Sequence, residues 1–504
     1  MLASVAIEAE FGTLPDLIAR HAAEAPAQIA LIDDHRALTY AELDARADRI
    51  AAALQRDGIR PGDAIAVCGA SSVGYAALFI GALRAGVAVA PLAPSSTPDG
   101  LATMIADCGA KAVFVDDAVA AALIGRALPP THALEAHDDW LAPPGTRPAP
   151  VAITPEMAFN IIYSSGTTGT PKGIVQSYRM RWAHTQGLKL GYGPGTVTLL
   201  STPLYSNTTL VAFIPTLANG GTVVLMAKFD VIGFLDRAVR HRVTHAMLVP
   251  VQYRRLLEHP DFDRYDLSAF ELKFATSAPF AATLKAEVLR RWPGGLIEYF
   301  GMTEGGGSCA LVAHQYPDKL HTVGRPSLGS DIRLIDEAGA EVPPGEAGEI
   351  VGRSGATMTG YHGRPDATAA ARWTSPDGLE FIRTGDVGRF DADGFLTLMD
   401  RRKDMIISGG FNIYPSDLEA VIAGHGDVVE VAVVGVPSDR WGETPVAFVV
   451  LRGGSADAVR DWANARLGKT QRLAETIAVD ALPRSAIGKV LKRELRDGFG
   501  RTMA

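Results

Sequence analysis

This chain has little that would tie it to nucleic acid, a membrane or an oxidising compartment. Cationic residues are outnumbered, 48 Lys and Arg against 56 Asp and Glu, for a formal charge of −8. A nucleic-acid binder needs a basic face to displace counterions from phosphate, so that class is disfavoured. Long apolar runs are missing as well. The most apolar stretch, residues 75–95, is interrupted by Arg84 and by Gly and Pro, too short and too broken to span a membrane. The three cysteines, Cys68, Cys108 and Cys309, are far apart and share no metal or redox spacing. The expectation is a reducing, cytoplasmic compartment. "MLASVAIEAEFGTLPDL" carries acids and no basic region, so it is not read as a secretory signal.

What is present is a globular composition, 47% hydrophobic and 21% charged, over 504 residues. At roughly 150 residues per domain, that length points to more than one. "LTYAELDARADRIAAALQRDG" reads as an amphipathic helix: Thr39 and Glu42 form a capping box, Leu43, Ala47, Ile50 and Leu54 share a face, and Gly58 ends it. "DAIAVCGA" and "AKAVFVDD" are β-rich runs without polar alternation, as in strands buried on both faces. Such alternation of strand and helix runs to about residue 330 and predicts α/β layers with a largely parallel sheet. No internal repeat and no low-complexity tract interrupts it.

Beyond residue 330 turn signals crowd together: Glu-Ala-Gly, Pro-Pro-Gly and Asp-Ala-Asp-Gly predict antiparallel hairpins. "PSDLEAVIAGH" and "ADAVRDWANARL" read as helices around the strands "EVAVVGVP" and "TPVAFVVL", a compact α+β unit. The charged run Asp400-Arg401-Arg402-Lys403-Asp404 stands before it and is a candidate hinge. The expected domains are 1–400 and 401–504.

Four stretches carry candidate chemistry. "YSSGTTGTPKGIVQS", 163–177, concentrates Ser, Thr and Gly before a lysine. It fails the Walker pattern, because Gly166 is followed five places on by Pro171 and Lys172 by Gly173. Its glycines still let backbone N–H groups approach an anion; a plain solvated loop is equally open on composition. "IEYFGMTEGGG", 297–307, sets aromatics that can stack on a base before Thr303 and Glu304, a phosphate donor and a Mg²⁺ carboxylate. "RTGDVG" offers Asp386 for ribose hydroxyls, or for ordinary turn chemistry. "LPRSAIGKVLKREL" contains Lys489, by itself a solvated surface lysine. His241 and His245 stand four apart without the glutamate of a metalloprotease helix and read as structural.

Together and in this order the four stretches resemble the adenylate-forming superfamily of acyl-CoA synthetases, luciferases and peptide-synthetase adenylation domains. "LTYAELDARADRIAAAL", "GVAVAPLAP" and "DRRKDMIISGGFNIYPSDLE" extend the likeness over nearly the whole chain. The resemblance implies a large N-terminal domain of layered α/β subdomains with an antiparallel portion, and a small, mobile α+β C-terminal domain. It implies a carboxylic acid activated by ATP and Mg²⁺ to an acyl-adenylate, then passed to the thiol of CoA. The partners are small molecules, with no nucleic acid and no membrane span; a homodimer is left open.

Residue by residue, the resemblance places Ser164, Ser165, Gly166, Thr167, Thr168 and Gly169 around the β- and γ-phosphates, with Lys172 nearby. Ser277, Ala278, Pro279, Tyr299, Phe300, Gly301 and Met302 belong to the nucleotide site. Thr303 and Glu304 fall at the α-phosphate and Mg²⁺, Asp386 at the ribose with Arg401 assisting, and Lys489 at the reacting carboxylate. Lys403 takes the hinge position. Gly409 and Gly410 turn toward the thiol channel, where Trp441 and Arg472 are further CoA candidates, although a core role for Trp441 is equally open.

Three departures stand out. Phe300 replaces the usual Tyr, Ser206 stands where many acyl-CoA ligases carry a gating His, and "KTQRLAET" lacks the usual aromatic and proline near the CoA adenine. On the acid side, residues 201–221 contain no carboxylate to hold a substrate ammonium, which disfavours an α-amino acid. No carrier domain follows residue 504 in this sequence, favouring a free thiol. Tyr205, Ser206, Asn207, Ser277, Tyr299 and the run Gly305, Gly306, Gly307 are expected to line the acyl pocket. Missing side chains in that run predict a long or bulky acid, alkyl or aryl, unless the glycines serve only the backbone. The alternative is an adenylating enzyme that hands its acyl group to a carrier protein or another acceptor.

Overall fold

The computed structural model describes all residues except 1–9, 136–137, 165–171, 187–190, 402–403, 409–410, 439–440, 469–470, 485–488 and 503–504. The chain forms two compact units. The first comprises Met1–His321, Pro326–Asp331 and Gly352–Ile382; the second comprises Thr322–Arg325, Ile332–Val351 and Arg383–Ala504.

In the first unit the expected capping box forms: Thr39 caps the helix Tyr40–Arg56 and Glu42 reaches back to its backbone. That helix buries Leu43, Ala47, Ile50 and Leu54, the face its spacing predicts. Strands Ala64–Cys68, Ala88–Leu92 and Ala110–Val115 pair in parallel inside a seven-stranded sheet. Because side chains alternate along a strand, Ile65 and Val67 enter one core. Ala64, Ala66 and Cys68 enter the other, against Leu101, Met104 and Ile105. A nine-stranded sheet, with Leu272–Ala275 and Gly295–Phe300 among its parallel members, supplies Phe274 and Ile297 to the first of these cores. The apolar stretch near residue 75 forms the helix Val73–Arg84, buried from Val73 through Leu83. Its hydrophobicity on all sides serves a core, and among the described residues no helix is long and apolar enough to cross a membrane. The cysteines are unpaired and buried.

In the second unit the predicted hairpins form. Asp336 N–H donates to Ala340 O around Gly339, and Asp391 N–H to Phe395 O around Gly394. A separate five-stranded sheet is built on the antiparallel pair Val428–Ser438 and Gly442–Leu451. Val433 and Val449 face the helices Pro415–Ala423 and Ala456–Asn464. Ala432, Val434 and Phe448 face Leu495 of the helix Lys492–Thr502.

Candidate functional site

In the first unit the site begins at a hairpin. Strand Ala158–Ser164 pairs antiparallel with Lys172–Ser177, with Ser164 opposite Lys172 and Tyr163 opposite Gly173. The residues between the two strands, including the expected phosphate contacts Ser165, Gly166, Thr167, Thr168 and Gly169, lie outside the described residues. Gly173 stands at a close approach: a Cβ there would lie 2.9 Å from Ile161 Cγ2 and 3.1 Å from the Tyr163 ring. Across the other edge, Tyr361 pairs with Ile174. Its ring lies under the Lys172 ammonium, 5.1 Å from nitrogen to centroid. Its hydroxyl donates to Glu304 Oε1 at 2.9 Å. Burial, and after it the charge and hydrogen bond of Glu304, raise the Tyr361 pKa and keep the phenol protonated. Lys172, Tyr361 and Glu304 therefore form a cation, a ring and a carboxylate in contact. Sequence reading missed Tyr361, because a Gly-Tyr pair in a loop-rich stretch carries no periodic signal.

Thr303 and Glu304 follow the strand Gly295–Phe300, whose ladder with Cys309–Val312 puts Phe300 opposite Cys309. The Thr303 carbonyl accepts from Gln176 Nε2 at 2.6 Å. The Glu304 carbonyl accepts from Met358 N–H at 2.8 Å. Half-buried Tyr299 stacks on Phe274 with centroids 6.1 Å apart, and burial raises its pKa. Met302 packs against Ile174, Met358 and Ile382.

Ser277 has φ +80, a left-handed conformation that only one other non-glycine, Arg242, shares among the described residues. Its hydroxyl meets Thr208 Oγ1 at 2.5 Å. Such backbone conformations persist where surrounding contacts over-determine them, often at functional sites. Half-buried Ala278 and exposed Pro279 follow it. Ser206 caps the helix Asn207–Ala218, accepting from Thr208 N–H at 3.3 Å. That gives a local, helix-capping use to the hydroxyl that stands where the resemblance puts a gating histidine in many acyl-CoA ligases. Tyr205 beside it is half-buried, and burial raises its pKa.

The glycine run has a backbone reason. Gly305, Gly306 and Gly307 have φ of +74, +83 and +106. A Cβ at Gly305 would collide with Ala356 O, and one at Gly306 would come within 2.6 Å of Ile382 Cβ and 2.8 Å of Gly352 O. The space beside Gly305 and Gly306 is filled by backbone and core. Their lack of side chains thus does not signal extra room for a bulky acid.

In the second unit Asp386 and Arg401 are cross-strand partners in the ladder of Glu380–Phe390 with Leu396–Arg401. The register shifts between Asp386 and Gly388. Gly385 has φ +70, and a Cβ on it would meet nothing within 4 Å, so it serves the turn conformation alone. Asp386 N–H donates to Thr384 Oγ1 at 3.0 Å, and that hydroxyl donates to Ile350 O at 2.8 Å. Lys489 is exposed and adjoins an isolated bridge between Arg484 and Val490. Trp441 is 48% exposed, so it is not a core residue. Arg472 is exposed. Lys403, Gly409 and Gly410 lie outside the described residues.

His241 caps the C-terminus of the helix Val231–Arg240, while His245 is a buried strand residue bonded to Thr244 Oγ1 at 2.8 Å and packed on Tyr192 and Phe274. Among the described residues no group of three or more His, Cys, Asp or Glu is arranged to hold a metal. The single Glu304 carboxylate fits the way Mg²⁺ is usually bound, by one or two carboxylates together with the phosphates of a nucleotide. Such an ion would supply charge neutralisation to those phosphates.

Comparison with known proteins agrees with this layout. The AMP-binding enzyme family matches residues 18–362, and the AMP-binding enzyme C-terminal domain matches 417–489. A feruloyl-CoA synthase of Amycolatopsis sp is 35% identical over 95% of this chain and 98% of its own. The fatty acid–[acyl-carrier-protein] ligase ScoC of Streptomyces coeruleorubidus is 32% identical over 97% of this chain and 96% of its own. The crystal structure of ATP-bound MatB from Rhodopseudomonas palustris is 30% identical, covers 97% of this chain and 100% of its own, and superposes with a TM-score of 0.88. The fold is accordingly that of adenylate-forming enzymes, a large N-terminal and a small C-terminal domain, and the chain belongs to the AMP-binding enzyme family.

Proposed function

We propose that the protein is an ATP-dependent carboxylic acid–CoA ligase acting on a fatty, aryl or arylalkyl acid. The observation that carries the reading is the contact set Lys172, Tyr361 and Glu304 at the root of the 165–171 segment. It gathers a cation and a carboxylate on one tyrosine, Lys172 over its ring and Glu304 at its hydroxyl, the two charges that a phosphate chain and its divalent ion require. A carboxylate attacks the α-phosphorus of ATP, the bond to pyrophosphate breaks, and an acyl-adenylate results. Anion meets anion in that step, so a cation at the reacting oxygens lowers the barrier most; Lys489 is the residue assigned to it. Asp386, with Arg401 opposite, holds the ribose.

The acyl-adenylate is a mixed anhydride. A thiol sulfur then attacks its carbonyl carbon, AMP leaves, and a thioester forms. The assignment of Ser164 to Gly169 to the phosphates, of Tyr205, Ser206 and Asn207 to the acid, and of Gly409, Gly410, Trp441 and Arg472 to CoA belongs to this reading. So do a hinge at 400–403 pivoting on Lys403 and a cytoplasmic location. The named relatives, a feruloyl-CoA synthase and a fatty acid ligase, support an aryl or fatty acid. The latter also favours a second reading, in which a carrier-protein thiol replaces CoA.

A panel of aryl and alkyl acids with ATP and either CoA or a carrier protein, read by pyrophosphate release and mass spectrometry, tests both. Thioester formed only with CoA supports the first reading. Thioester formed only on the carrier supports the second. No pyrophosphate with any acid overturns both.

A further inference from the structure

Arg181, on the helix Tyr178–Gln186, is 1% exposed and pairs with no carboxylate among the described residues. A guanidinium buried without a counter-charge is costly and needs every neutral acceptor it can find. It has three. Its Nε donates to Asn160 Oδ1 at 3.0 Å, one terminal nitrogen donates to Gln176 Oε1, and the other meets His184 Nδ1 at 3.4 Å. Burial lowers its pKa to about 9, and it remains a cation at neutral pH.

The consequence falls on Gln176, which is fully buried. Its Oε1 accepts from both Arg181 and Asn160 Nδ2, the latter at 2.8 Å. An amide turned end for end would set its NH₂ against those two donors. Its Nε2 must therefore face the opposite way, where it donates to Thr303 O at 2.6 Å and to Asn207 Oδ1 at 3.4 Å. Thr303 adjoins Glu304, and Asn207 begins the helix beside Ser206.

The geometry points to Arg181 as a positioning residue for adenylation, fixing through Gln176 the Thr303 carbonyl and the Asn207 side chain. The inference rests on the function proposed above. Arg181 and Gln176 touch no reacting atom; they set where the Thr303–Glu304 turn and Asn207 stand.

Gln176→Glu separates this role from a structural one. The carboxylate keeps the shape, gives Arg181 a counter-charge and sustains the fold, but presents an acceptor to the Thr303 carbonyl. Acyl-adenylate formation should fall about tenfold, what one lost hydrogen bond supplies. The fall should lie in kcat, with the KM for ATP within about threefold, and thioester formation from supplied acyl-adenylate should be unchanged. Hydrogen exchange of residues 301–307 should quicken while the thermal midpoint holds. Arg181→Met, which frees Gln176 to turn, should repeat the adenylation defect. Unchanged adenylation and unchanged exchange in a folded Gln176→Glu overturn the inference. Absence of pyrophosphate release by the wild type with every acid overturns the proposed function instead, and the exchange measurement then decides the relay.

Discussion

Tyr361 donates its phenolic hydrogen to Glu304 at 2.9 Å while its ring supports the Lys172 ammonium. One side chain thus joins a strand edge, a candidate metal carboxylate and a candidate phosphate lysine. Tyr361→Phe keeps the ring and removes the hydroxyl. A hydrogen bond to a charged group contributes roughly 1.5–3 kcal/mol when buried, and this one is only half-buried, so a loss of about 1 kcal/mol is expected. Chemical denaturation checks it. Adenylation should also need a higher Mg²⁺ concentration, because Glu304 loses its orienting partner; an unchanged Mg²⁺ dependence would separate Glu304 from metal binding.

Lys489→Ala should abolish most adenylation, by ~10²-fold or about 2.7 kcal/mol, and spare thioester formation from supplied acyl-adenylate. Lys403→Pro should do the reverse, since proline fixes φ at the proposed pivot. Single-turnover measurement of both steps decides. Equal damage to the two steps in Lys489→Ala would remove it from its assigned role.

Gly306→Ala should destabilise the protein by roughly 2–4 kcal/mol, from a left-handed φ and from a Cβ pressed against Ile382 and Gly352. Any loss of kcat/KM should be similar for short and bulky acids, because the strain lies in the backbone. A loss confined to bulky acids would instead restore Gly306 to the wall of the acyl pocket.

His184 gives the protein a pH dependence. Burial, and then the charge of Arg181, lower its pKa to about 3. The folded state therefore resists its protonation while the unfolded chain accepts a proton near pH 6.5. The unfolded state binds more protons across that interval, so stability is full above about pH 6.5 and falls as pH drops, by at most about 1.4 kcal/mol per unit. Melting curves from pH 7.5 to 5 should show this slope in the wild type and a shallower one in His184→Asn. Equal slopes would mean that His184 titrates alike in both states.

Local rules determined much of this protein. The capping box of Thr39 and Glu42, the buried face of Leu43 to Leu54, the strands around Val67 and Phe114 and the hairpin turns at Gly339 and Gly394 all follow from residues near one another in sequence. The order of the motifs likewise disclosed the family, since each needs only its own few residues. Tertiary structure decided what depends on partners far along the chain. Tyr361 reaches Glu304 across 57 positions, and Gln176 reaches Thr303 across 127. No periodicity encodes such meetings. The glycines of 305–307 showed the same limit: sequence reveals an absent side chain, but only the packed neighbours, Ala356 and Ile382, reveal what occupies the space. Arg181 would be taken for a surface charge until its burial is known, because burial is set by the sheets folded around it.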